Sequence, residues 1–401
     1  MVLGRDRYAL AGRVLDAGGN PDVLLGAGVR PARQAGGIAL QREWVADEAQ
    51  VWLSRPLPDA LVLRDDEPAV LAGLLLTASR LDLPTVVSPV GEGAFDAVSY
   101  ALGLAPLASD AAEVVVELAS EGGPRPRKLI DNFSLANALR AGVAAGGGPE
   151  LLVHLAALAR EAGVTGFDQM IRVLAPETSE VRPEWLREHG VPGLLASLGD
   201  TLHDVPTVAG NLIETLPTAP PTPDEHARLV FVRARASGAE AVCRAREGIT
   251  EAAGECRVFG SEEEAVLDLR RGEVREEMIL VVGGCGPRGG PGLLRLDDLG
   301  RSLKEAGLEV PVLTDGLAPE DGARTWISLF NPEATEGSVL SRLRDGDTLR
   351  IDLTEGRIRT GVDAREFESR EPAEFPDRAS TAYAARYART ALPALDGAGF
   401  G

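Results

Sequence analysis

The chain is poor in the residues that usually announce a reaction centre. Cysteine occurs three times in 401 residues, at Cys243, Cys256 and Cys285, without a C-x-x-C pair, so neither a disulfide framework nor a cysteine-only metal site is signalled. Only four histidines are present. Basic residues are also short: 41 Lys plus Arg against 61 Asp plus Glu gives a formal charge of -20. That balance repels a phosphate backbone, so nucleic acid is excluded as an expected partner. No apolar run approaches the length that crosses a bilayer, and "MVLGRDRYAL" lacks the long apolar core of a signal peptide. The expectation is a cytoplasmic protein without a membrane partner. What the chain does have is 44% hydrophobic residues in runs that alternate with charged ones, as in a globular protein of two or three domains.

Residues 1–42 are rich in Gly, Ala and Arg with weak periodicity, which predicts an irregular or partly helical start. From Asp59 the pattern sharpens. "DALVLR" reads as a buried strand, "EPAVLAGLLLTASRL" as a helix and "PTVVS" as the next strand, a strand-helix-strand unit. Asp65 and Asp66 stand where a helix cap belongs, and Pro68 where a first-turn proline belongs. Further helices are expected at about residues 110–120, 134–144 and 149–162. "TLPTAPPTPDEH" (Thr215–His226) reads as a linker. Beyond it "ARLVFVRA", "AEAVCRA" and "ECRVFG" are short β-rich runs, "SEEEAVLDLRRG" is a helix opened by a Ser261/Glu264 capping box, and "TLRIDLTEGRIRTGV" is a hairpin. The second half is therefore β-rich with inserted helices.

"GGCGPRGGPG" (Gly283–Gly292) follows the apolar run "MILVV". It matches neither the P-loop nor the dinucleotide fingerprint, and a turn that only connects a strand to "LLRLDDLGRSLKEAG" is an equal alternative. Cys285 has the chemistry of a nucleophile but no base near it in sequence. His154 lies in an apolar helix, where a satisfied core histidine is the commoner case, and His203 and Asp204, being adjacent, seldom face one another. "RDDEP" (Arg64–Pro68) places three carboxylates at a strand end, where ligands bind in open α/β sheets and a hard cation finds oxygen ligands. Charges favoured by a helix N-terminus explain the same residues.

Taken together, these segments resemble the dihydroxy-acid dehydratase and phosphogluconate dehydratase family. "REWVADEAQVWLSRPLPDALVL", "LLLTASRLDLPTVV" and "NALRAGVAAGGGPELLVHLAALAREAGV" resemble pieces of its first domain. "RVFGSEEEAV", "GPRGGPG", "VPVLTDG", "NPEATEG" and "RDGDTLRIDL" follow the order of its second. The resemblance implies an N-terminal open α/β domain followed by a β-barrel-like C-terminal domain with inserted helices, an active site between them, and a homodimer. The resulting boundaries are 1–216 for the first domain, 217–226 for the linker, 227–367 for the second domain and 368–401 for a C-terminal tail. The family removes water from a 2,3-dihydroxy acid to give a 2-oxo acid, using an iron-sulfur cluster, magnesium and a serine base.

Position by position, the reactive groups of that family are replaced. Its G-G-C-D-K-T loop, which supplies a cluster cysteine and two magnesium ligands, falls on Glu67, Pro68 and Ala69. The magnesium glutamate of Y-E-G-P-x-G-G-P-G falls on Cys285, the serine base after "TDG" on Pro319, and a later histidine on Leu329. Its G-G-S-T-N turn reads "GGGPE" (Gly146–Glu150) here. The family's first segment has no evident counterpart, and no cysteine precedes Cys243. Proline and alanine side chains neither ligate a metal nor accept a proton. The expectation is a degenerate family member without cluster or magnesium. It would bind a small organic acid, or pair with itself or with a dehydratase paralogue. Its altered cleft would hold Asp65, Asp66, Glu67, Cys285, Gly286, Arg288 and Asp315. The alternative is an active hydro-lyase on a dihydroxy or sugar acid, with Asp65, Asp66, Glu67 and Asp315 as new oxygen ligands and Cys285 or Arg288 handling substrate.

Overall fold

Three short apolar runs far apart in the chain, Val2–Gly4 (β1), Leu61–Arg64 (β2) and Thr85–Val87 (β3), lie side by side as a parallel sheet in the order β1-β2-β3. The computed structural model describes residues 1–23, 36–54, 57–234, 238–246, 248–319, 325–376 and 378–401. They form two compact units, Met1–Pro31 with Gln41–His226, and Ala32–Leu40 with Ala227–Gly401.

In the first unit, parallel strands require crossover connections. Helices supply them: Arg7–Asp16 (α1) and Ile38–Leu53 (α2) fall between β1 and β2, and Pro68–Leu81 (α3) between β2 and β3. Ala94–Ala101 (α4), Ala111–Glu121 (α5), Asn132–Ala144 (α6) and Pro149–Glu161 (α7) follow. The start of the chain is partly helical, in keeping with the reading of residues 1–42, in α1 and the first residues of α2, and it adds the three-residue strand β1, which is defined by long-range pairing with β2. Residues 24–35 of that reading lie outside the described residues. Helix α3 is buried all round from Ala69 to Ser79, as its unbroken apolar sequence requires. Gly73 lets α2 approach: a Cβ there would stand 2.6 Å from the Arg42 carbonyl oxygen. The cap of α3 is a correction. Its N-cap is Glu67, which makes no side-chain capping bond, and Pro68 takes the first turn as expected. Asp65 instead accepts from the Glu67 N–H at 2.9 Å, and Asp66 pairs with Arg5.

The second unit is a closed barrel of eight strands. These are Glu225–Ala234 (β4), Ala239–Arg246 (β5), Glu251–Phe259 (β6), Met278–Val282 (β7), Val312–Thr314 (β8), Trp326–Asn331 (β9), Thr348–Asp352 (β10) and Arg357–Thr360 (β11). Their order is β11-β10-β6-β7-β8-β9-β5-β4, closed by parallel pairing of β11 with β4. Strands β6 to β9 are parallel, with Glu262–Arg270 (α8) and Asp297–Ala306 (α9) as crossovers. Met278–Val282 is apolar throughout because both its faces are covered. Ile279 and Val281 join the barrel interior with Cys243, Cys256 and Ile351. Leu280 and Val282 pack outward among Val266, Leu299 and Leu303 of α8 and α9. Ser261 caps α8 as expected by accepting from the Glu264 N–H, whereas Glu264 reaches back to Gly260 rather than to Ser261. After residue 367, Ala382–Thr390 (α10) buries Tyr387, whose hydroxyl donates to the Ala398 carbonyl. Among the described residues no helix is long and apolar enough to cross a membrane.

Candidate functional site

Four of the singled-out residues, Cys285, Gly286, Arg288 and Asp315, come together at the end of β7. There the glycine loop wraps around two buried carboxylates. Asp315, fully buried, accepts from the N–H of Cys285 at 2.8 Å, Gly284 at 3.2 Å and Ala334 at 2.8 Å. Desolvation pushes its carboxyl above the usual range, and these amides pull back against that shift. The second carboxylate, Glu333, accepts from the N–H of Arg288 at 3.1 Å and Gly289 at 3.0 Å. Burial pushes it up to about 7. Sequence reasoning passed over Glu333, although "NPEATEG" carried it, because what it binds is 45 residues away.

The glycines are demanded by this packing. A Cβ on Gly286 would lie 2.5 Å from Glu333 Oε2, and one on Gly283 2.7 Å from the Phe375 ring. Loop residues 291–293 also accept from the N–H groups of Gly37, Ala39 and Ile38, which belong to the same unit.

Cys285 is no poised nucleophile. Its side chain is fully buried in an apolar cluster with Val282, Leu296 and Leu299. Desolvation, with Asp315 adding to it, drives the thiol far above its ordinary range, against the pull of Arg378 at 4.0 Å. Arg288 donates through Nε to the Ala391 carbonyl at 3.0 Å and pairs with Glu336. Pro319 packs on Gly300 of α9. Leu329 is fully buried with φ +59°, its N–H donating to the Gly316 carbonyl at 3.0 Å. A leucine in the left-handed region costs on the order of 1 kcal/mol, and such strain persists only where surroundings impose it.

Asp65, Asp66 and Glu67 belong to the other unit, in the turn before α3. His154 is the core histidine expected, buried against Arg42 at 3.4 Å and Glu150 at 3.3 Å. Asp204 accepts from the Ile213 N–H, and the His203 ring packs on Phe133. Among the described residues no three His, Cys, Asp or Glu side chains come together as a metal site.

An α/β unit built on a parallel sheet, with a closed barrel carrying a glycine loop on paired carboxylates, defines a two-domain α/β protein. The description "Dihydroxy-acid/6-phosphogluconate dehydratase C-terminal" fits residues 232–398, and its N-terminal counterpart fits residues 103–216. The chain belongs to the dihydroxy-acid/6-phosphogluconate dehydratase family. It is 30% identical over 316 residues to dihydroxy-acid dehydratase of Geobacter metallireducens, covering 71% of this chain and 57% of that protein. It is 30% identical over 342 residues to dihydroxy-acid dehydratase 2 of Bordetella bronchiseptica, covering 78% and 60%. With dihydroxy-acid dehydratase 1 of Methanosarcina acetivorans the identity is 30% over 325 residues, covering 73% and 58%. The chain thus spans less than two thirds of the length of these relatives. The turn Asp65–Glu67 precedes the residues that the N-terminal description covers.

Proposed function

We propose that this chain is a dehydratase-family protein without cluster-dependent dehydration, acting as a binder of a small organic acid or as a partner subunit, with itself or with an active paralogue. The observation that carries the reading is Cys285. At the place where the family's loop presents a magnesium glutamate stands a buried thiol in apolar contact. Pro319 and Leu329, where the resemblance places a serine base and a histidine, support it.

Neither cofactor of the family fits the residues that stand here. A cluster is held by thiolates, whereas Cys243 and Cys256 are buried in the barrel with thiols pushed up to about 12 by desolvation. Magnesium takes carboxylate oxygens, whereas Asp315 and Glu333 are spent on backbone amides. The test is iron, acid-labile sulfide and magnesium content after anaerobic purification, with assays for 2-oxo acid formation from dihydroxy and sugar acids. Colourless, iron-free protein without turnover is expected. Stoichiometric iron and sulfide with turnover would instead identify an active hydro-lyase with an altered site.

A further inference from the structure

The first unit carries a cleft of about 540 Å³ at the carboxyl ends of β2 and β3, bounded by the first turns of α1 and α5. Two guanidinium groups and two carboxylates share it. Arg64 donates through Nη1 to the Ser88 carbonyl and hydroxyl and to the Pro89 carbonyl, which fixes the group before any ligand arrives. Its Nη2 has no hydrogen-bond partner among the described residues. The Asp6 carboxylate stands 3.8 Å from Arg64 Nε, beyond hydrogen-bond length. It does not cap α1, whose N-cap residue it is, at φ +50°. On the opposite wall Arg13 pairs with Asp110 at 2.8 Å, and Asp110 caps α5 through the Ala112 N–H. Leu10, Pro106 and Ala111 add an apolar side.

Within a chain of charge -20, this cleft balances its charges and sets one cation and one anion side by side. A dianion meets two aspartates and a simple cation two arginines, so each is opposed. A molecule with adjacent carboxylate and ammonium groups satisfies both: its carboxylate on Arg64 Nη2, its ammonium on Asp6, its aliphatic side chain against Leu10 and Pro106. We propose that this cleft is a binding site for a small aliphatic α-amino acid. The site does not depend on whether the chain dehydrates anything.

Calorimetry and thermal shift on the full chain would use L-valine, isovalerate, isobutylamine and inorganic phosphate as probes. L-valine is expected to bind at least tenfold more tightly than each comparator. Asp6→Asn and Arg64→Lys should each weaken it about tenfold or more, the cost of losing a charged hydrogen bond. Arg350→Met, at an exposed barrel position outside both sites, should leave it unchanged. Absence of L-valine binding overturns the proposal. So does equal binding of isovalerate or phosphate, or L-valine affinity that is indifferent to Asp6→Asn and Arg64→Lys in folded protein.

Discussion

The glycine loop of the barrel and the Asp65–Glu67 turn of the α/β unit both follow a strand and both carry carboxylates or their replacements, yet they are held in different ways. At the glycine loop, Asp315 and Glu333 are buried and each binds several backbone amides, and the glycines leave no room for a Cβ. At the turn, Asp65 bonds its own backbone two residues on, and Asp66 meets Arg5 at the surface with both side chains well exposed. The first arrangement is long-range and constrains the backbone. The second combines one local bond with an exposed ion pair to a residue far away in the chain. The side chain at position 285 can therefore vary while the loop's path stays fixed by other residues.

Removing Asp315 should break this comparison most visibly. Asp315→Ala strands three buried N–H groups, each costing about 1–3 kcal/mol when unpaired, so urea unfolding should show a loss of about 3–5 kcal/mol or no folded protein. Gly286→Ala forces a Cβ against Glu333 and should cost about 1–3 kcal/mol by the same measurement; an unchanged midpoint would mean that the loop is looser than its contacts imply.

A pH series sharpens the contrast further. The Glu333 carboxyl is raised from 4.5 to about 7, so the folded state binds its proton more tightly than the unfolded state. Its contribution is most favourable below about pH 4.5 and falls away as pH rises towards 7. Asp315, Glu336 and Arg288 surround it, and Glu262, also raised to about 7, adds a parallel slope. Glu333→Gln should remove on the order of 3 kcal/mol of that pH dependence. At the turn, Asp66→Ala should change stability by less than about 1 kcal/mol, as exposed pairs do. A larger loss would erase the distinction between the two regions.

These cases also mark what the sequence could reveal. The hairpin of β10 and β11 and the helices α3, α8 and α9 were legible, because apolar period and turn chemistry are local. The cap of α3 misled because the same local rule favours Asp65 and Asp66, whereas a partner 61 residues away takes Asp66. Strand β1 was invisible for the same reason, being defined by β2. In the loop, the reading of Cys285 as the counterpart of the family's glutamate rests on the motif resemblance alone. The clasp of Asp315 and Glu333 could not be read from the sequence, because backbone amides have no sequence signature. Asp315 therefore reads as a cation ligand from sequence, while its oxygens are occupied by amides.

Closure of the barrel also bears on how the chain is made. Strand β4 emerges from the ribosome early, but its closing neighbour β11 pairs at Arg357↔Arg233 and Ile358↔Ala234, about 120 residues later. Until then β4 presents an unsatisfied edge along its C-terminal end, a template for wrong pairing, and its contacts carry a large loop-closure cost. Folding of this unit should therefore finish only after the hairpin has left the tunnel, and nascent chains arrested before residue 357 should be the species that chaperones retain.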